Sequence, residues 1–104
     1  NDTMDAGKIN TKLKIPETYE GPLDGLRVEL LNTTASTFVD STDTQGEAHF
    51  TVPAGIYSVR SSAQKTTKDY RYFFNGTLSQ VVVTSDSAHT FTLPLTMSRK
   101  RIVH

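Results

Sequence analysis

Three histidines, a group of acidic residues around one of them and one aromatic run are the groups in this 104-residue chain whose chemistry reaches beyond packing. His49, His89 and His104 lie far apart and lack the short ligand spacing of a zinc site, so they read as solvated or locally hydrogen-bonded side chains. Asp40, Asp43 and Glu47 offer the oxygen donors calcium prefers, but not in the D-x-[DN]-x-[DN]-G order of a calcium loop. Turn chemistry accounts for Asp43 without a metal. Serine, histidine and aspartate all occur, but a chain so rich in Ser and Thr lets a triad be drawn almost anywhere. No Gly-rich phosphate loop is present. The aromatic run is "DYRYFF", where Tyr70, Tyr72 and Phe73 are the candidates for stacking on a ligand ring. In a strand, however, Tyr70, Tyr72 and Phe74 fall on one face, and that alternation favours a core role with the phenol hydroxyls at the rim. No catalytic residue, metal ligand or cofactor is expected.

The composition narrows the partners. Eleven basic residues balance eleven acidic ones, which removes the overall pull expected of a nucleic-acid or anionic-membrane binder. There is no cysteine, so neither a disulfide nor a thiolate metal site contributes. No run of eighteen apolar residues occurs, so these residues insert no helix into a membrane. The chain opens "NDTMDAGK" with no leader, as a mature form or an excised piece would. Sequons stand at Asn1, Asn32 and Asn75; "FNGT" reads as a turn in which Asn75 and Gly76 accept positive φ.

Apolar residues alternate with polar ones along most of the chain, the period of strands. In "KINTKLKI", Ile9, Thr11, Leu13 and Ile15 share one face and Lys8, Lys12 and Lys14 the other. "LRVELL" repeats the pattern through Leu26, Val28 and Leu30, and "TTASTFVDST" is a weaker strand centred on Phe38 and Val39. Gly21, Pro22 and Gly25 bound the strand of Leu26. Asp43 to Gly46 reads as a type I turn with Gly46 at positive φ, and Pro53 to Gly55 as a second turn, giving two hairpins about the strand of Ala48, Phe50 and Val52. Tyr57 and Val59 carry the return. "SAQKTTKD" reads as a loop. In "HTFTLPLTMS", Phe91, Leu93, Leu95 and Met97 share a face, while Pro94, unable to donate to a ladder, marks an edge or a bulge. About seven short strands make an antiparallel β-sandwich the expected architecture, with a barrel as the alternative. Its core is expected to hold Leu13, Val28, Leu30, Phe50, Val52, Tyr57, Val59, Phe91 and Leu93.

"GPLDGLRVELLN" and "TDTQGEAHFTVPAGIYSV" resemble the opening and centre of carboxypeptidase regulatory-like domains, which are similar in fold to transthyretin and to the B-type repeats of collagen adhesins. "KLKIPETYEGPLDGLRVELLNT", with "YRYFFNGT" downstream, resembles the N-terminal domain of a surface-lipoprotein family of unknown function from Gram-negative gut bacteria. The resemblance implies an all-β, Greek-key, transthyretin-like sandwich over residues 8–98, preceded by a linker at 1–7 and followed at 99–104 by a linker or the start of another domain. Two activities of the wider group lack their residues. Hydroxyisourate hydrolases need a C-terminal Tyr-Arg-Gly-Ser, whereas this chain ends "SRKRIVH". An adhesin-type isopeptide bond needs an inward lysine and an Asn or Asp on the last strand, and "HTFTLPLTMS" has neither acceptor.

The expectation is a non-catalytic accessory or spacer module of an exported bacterial protein, outside the cytoplasm on an outer-membrane lipoprotein or at the cell surface. Its first partner would be a downstream domain of the same chain. The alternative is a module that binds glycan or a surface protein through sandwich-end loops or the Tyr70 to Phe74 segment. Nucleic acid and direct membrane insertion are not expected.

Overall fold

Strict alternation builds the first strand, β1 (Ala6–Lys14): Ile9, Thr11 and Leu13 are buried, while Lys8, Lys12 and Lys14 are exposed. The same period shapes β2 (Arg27–Asn32), β3 (Thr37–Ser41), β4 (Glu47–Pro53), β5 (Gly55–Thr66), β6 (Tyr70–Val83), β7 (Ala88–Pro94) and β8 (Thr96–Arg101). This computed structural model describes residues 6–32, 37–86 and 88–103; Asn1, His104 and most of the expected N-terminal linker lie outside them. Among the described residues there is no helix. The chain is an all-β sandwich of a three-stranded sheet, order β4-β1-β7, and a five-stranded sheet, order β3-β2-β5-β6-β8.

One core lies between the sheets. Ile9, Leu13, Phe50, Val52 and Leu93 come from the smaller sheet, and Leu26, Val28, Leu30, Tyr57, Val59, Val81 and Val83 line the larger one. Eight of the nine expected core residues are buried; Phe91, near the β7 edge, is half-buried. β5 and β6 run far past β2, and the described residues span 57 × 24 × 18 Å. The long pair leaves a broad outer face on the larger sheet.

Several expectations are corrected. The eight strands among the described residues fit the expected number of about seven, but β1 and β7 pair in parallel, so the sandwich is not wholly antiparallel. The Asp43 turn has the expected local form: the Gly46 amide donates to the Asp43 carbonyl at 3.0 Å, and Gly46 has φ 78°. It does not close a hairpin, however, because β3 pairs with β2 and β4 with β1. Pro53 to Gly55 likewise carries the chain from one sheet to the other, and the Tyr57 hydroxyl donates to the Pro53 carbonyl at 2.6 Å across the corner. "SAQKTTKD" is mostly strand: β5 continues to Thr66, with Ala63 and Lys65 half-buried between exposed polar neighbours. "FNGT" is no turn, since Asn75 and Gly76 lie inside β6 opposite Ser62 and Ser61. A Cβ at Gly76 would lie 2.5 Å from the Pro94 carbonyl oxygen, so a close backbone approach accounts for this glycine. The positive φ in β6 falls on Gln80 instead, at 63°, beside the register shift of a β-bulge.

"HTFTLPLTMS" divides at Leu95. β7 ends at Pro94 on the edge of the smaller sheet, where proline's missing N–H is harmless, and β8 begins at Thr96 on the edge of the larger one. The Leu95 amide donates to the Lys14 carbonyl at 2.9 Å as the chain crosses over. β8 also incorporates Ser98 to Arg101, so the sheet runs past residue 98 into the segment expected as a linker.

Candidate functional site

β6 separates the aromatic run into two faces. Tyr72 and Phe74 are buried, their rings stacked 6.4 Å apart, and Tyr70 is half-buried at the end of the row. Tyr19, from the segment between β1 and β2, packs edge-on against both: 4.8 Å to Tyr72 and 5.0 Å to Phe74, at 81° and 84°. Its hydroxyl donates to the Pro22 carbonyl at 2.6 Å, and burial pushes the phenol above its ordinary range. The Arg99 guanidinium lies 4.3 Å from the centre of the Tyr70 ring, a cation–π contact that fixes the outermost tyrosine. Of the sequence candidates, Tyr72 is therefore core, and Tyr70 is engaged from within the domain.

Phe73 stands apart. It points to the outer face of the five-stranded sheet and is 39% exposed. Its ladder partners are Gln64 on β5 and Ser98 on β8. One rung on, Asn75 faces Ser62 and Thr96; one rung back, Arg71 faces Thr66 and Lys100. All of these flanking side chains are exposed. A shallow groove of about 630 Å³ runs over the Phe73 and Asn75 rungs. It sets the Phe73 ring among amides and hydroxyls, and Arg71 and Lys100 stand one rung further along the strands.

The charge on this face is one-sided. Its acidic residue, Glu29, already holds Arg60 at 3.0 Å and Arg27 at 3.5 Å, and the Arg60 hydrogen bond keeps its carboxyl below the usual range. Among the described residues neither Arg71 nor Lys100 has an ion-pair partner.

The histidine and acidic groups form a different arrangement, on the smaller sheet. The His49 ring nitrogens lie 2.7 Å from Asn10 Oδ1 and 3.2 Å from Asp43 Oδ2. Asp43 Oδ1 accepts the Gln45 and Glu47 amides at 2.9 and 3.1 Å. The Glu47 amide first, then His49, holds the Asp43 carboxyl below its ordinary range. Asp40 caps the His49 amide at 2.9 Å. This network pins the turn, and among the described residues no group of three or more potential ligands converges as a metal site. His89 contacts Thr84 at 3.3 Å and lies beside Phe91.

Two features are hidden in the sequence. Tyr19 sits outside any alternating segment, and only the fold brings it over Tyr72. The Arg71–Phe73–Asn75 row has strand spacing and is open to reading, whereas its pairing with Lys100 depends on β8 joining the larger sheet.

No protein-family model and no curated protein matches this chain. Among solved structures, it is similar to a DUF4876 family protein from Bacteroides thetaiotaomicron, at 21% sequence identity and a TM-score of 0.59. The match covers 86% of this chain but 23% of the other, so this chain spans about a quarter of that protein's length. At that identity the likeness shows the β-sandwich fold alone.

Proposed function

We propose that this domain is a non-catalytic accessory module of a longer, exported bacterial protein, on an outer-membrane lipoprotein or elsewhere at the cell surface. The observation that carries the reading is how its reactive-looking groups are used. Tyr72 and Phe74 fill the core, and His49 and Asp43 fasten a turn. The sequence resemblance to the N-terminal domain of a Gram-negative surface-lipoprotein family supports the setting, as does the similarity in fold to part of a much longer Bacteroides protein. A sandwich confers no activity by its fold, so function falls to its exposed faces and its neighbours in the chain. A hydrolase substrate panel on the 104-residue protein tests the first half: turnover abolished by His49→Ala or Asp43→Asn would sink it. Protease shaving of intact cells tests the second, which fails if the domain in its native protein stays intact until the cells are lysed.

A second reading, a binding module, is favoured by one observation: Phe73 is exposed on a groove rimmed by polar side chains while its neighbours Tyr72 and Phe74 are buried. A glycan array with the parent and Phe73→Ala proteins tests it.

A further inference from the structure

We propose that the outer face of the five-stranded sheet binds an acidic saccharide, one sugar ring stacking on Phe73 while its carboxylate or sulfate meets Arg71 and Lys100. The inference rests on the binding reading of this face and names its ligand class.

Arg71 and Lys100 are directly opposed across β6 and β8. Like charges at opposed positions on one face repel, and no acidic partner of either occurs among the described residues. An anion seated between them relieves that repulsion. Edge protection explains a cation on β8, an outer strand of its sheet, since charged edges discourage pairing with other chains. It does not explain a second cation facing the first on the inner neighbour, nor an exposed phenylalanine beside them. Phe73 follows Arg71 on the same side of β6, about 7 Å along the strand, within reach of long side chains.

The polar surround selects the ligand. A pyranose presents C–H groups on its face and hydroxyls on its rim. Phe73 offers a π-face, and Gln64, Asn75 and Ser98 offer amide and hydroxyl partners around it. A single-stranded nucleic acid would seek successive aromatic platforms, but among the described residues the other large exposed apolar side chains, Val39, Ile56, Val82 and Val103, are aliphatic. Charge complementarity and the lone ring together favour an acidic sugar.

The test is isothermal titration of the 104-residue protein with polygalacturonate, dextran sulfate, neutral dextran and an oligothymidylate, thermal melts verifying that each variant is folded. Binding is expected to one or both acidic polymers and not to dextran, with the two acidic arms separating carboxylate from sulfate. Phe73→Ala, which removes the stacking ring, and the pair Arg71→Gln/Lys100→Gln, which removes the charge-assisted hydrogen bonds, should each weaken it by about tenfold. Added salt should weaken it too. Lys12→Gln, on the opposite sheet, should leave it unchanged. Acidic-polymer binding that ignores Phe73→Ala, or falls equally in Lys12→Gln, would overturn the proposal as diffuse electrostatics. Dextran binding that survives Arg71→Gln/Lys100→Gln but not Phe73→Ala would overturn the acidic class and leave the binding reading intact. Oligothymidylate binding lost in Phe73→Ala would replace the saccharide with nucleic acid. Failure to bind any polymer would overturn this inference, while the binding reading rests on the glycan array and the accessory reading on its own tests.

Discussion

Replacing Tyr19 separates the work of its ring from that of its hydroxyl. The side chain is 7% exposed and meets Tyr72 and Phe74 edge-on. Truncating a buried aromatic to alanine costs about 3–5 kcal/mol, because transfer and cavity terms add. Within that sum each edge-to-face pair accounts for about 0.5–1.5 kcal/mol. Tyr19→Phe keeps the ring and both contacts, losing only the bond to the Pro22 carbonyl. Pro22 is exposed, so water can replace the lost donor, and the cost should sit near the low end of about 0.5–1.5 kcal/mol. Urea unfolding followed by circular dichroism measures both variants. Against a total of about 5–15 kcal/mol for an ordinary domain, the alanine variant should lose a large share and the phenylalanine variant little. An alanine variant within about 1 kcal/mol of the parent would refute the packing argument, since cavity formation at a closed site does not cost so little. Equal losses in the two variants would refute it differently, making the Pro22 hydrogen bond the fastener and the ring incidental.

Gly76→Ala should destabilise by about 1–3 kcal/mol or more, because its Cβ meets the backbone carbonyl oxygen of Pro94, which cannot swing aside, as well as the buried Leu95 side chain; an unchanged urea midpoint would show that β6 and the crossover are not so close. Thr11→Val should stabilise by roughly 1 kcal/mol, since the Thr11 hydroxyl is fully buried and has no hydrogen-bond partner among the described residues; a lower midpoint would mean that the hydroxyl is satisfied. Asp43 contributes stability that is present above its unfolded pKa, about 4, and is lost as pH falls through its lower folded value. Melts from pH 7 down to pH 3 should therefore fall less steeply for Asp43→Asn than for the parent, and parallel profiles would rule out the linkage.

Local pattern is legible wherever a strand has one wet face. The alternation of Ile9, Thr11 and Leu13 against Lys8, Lys12 and Lys14 is enough to orient β1, because a one-residue slip would bury every lysine. Pairing is not legible in the same way. The Asp43 turn has the residues and hydrogen bonds of a hairpin, yet its flanking strands join different sheets. A turn fixes the direction of four residues, whereas sheet membership depends on which distant strand lies alongside. The same limit conceals the division at Leu95. Phe91, Leu93, Leu95 and Met97 keep one period across it, since each faces the common core from whichever sheet it occupies. Where polarity misleads, as in "SAQKTTKD", the cause is strand length: β5 extends beyond β2, so its last residues gain little burial and carry little apolar signal.

The candidate face follows from these same facts. The chain leaves the smaller sheet after Pro94 and, as β8, pairs with β6 over Tyr70–Asn75, which turns Tyr72 and Phe74 inward. A strand cannot turn alternate residues inward without turning those between outward, so Arg71, Phe73 and Asn75 must share the opposite face. Inward residues are constrained by packing, and that constraint accounts for Tyr72 and Phe74. It sets no requirement for an aromatic at Phe73, where a serine or threonine would satisfy the ladder and keep the surface wet. Nor does folding favour placing Arg71 opposite Lys100, which costs stability rather than adding it. Two outward choices that folding does not call for, one rung apart on a single face, are the ones that the proposed saccharide contact would account for and the stability of the sandwich does not.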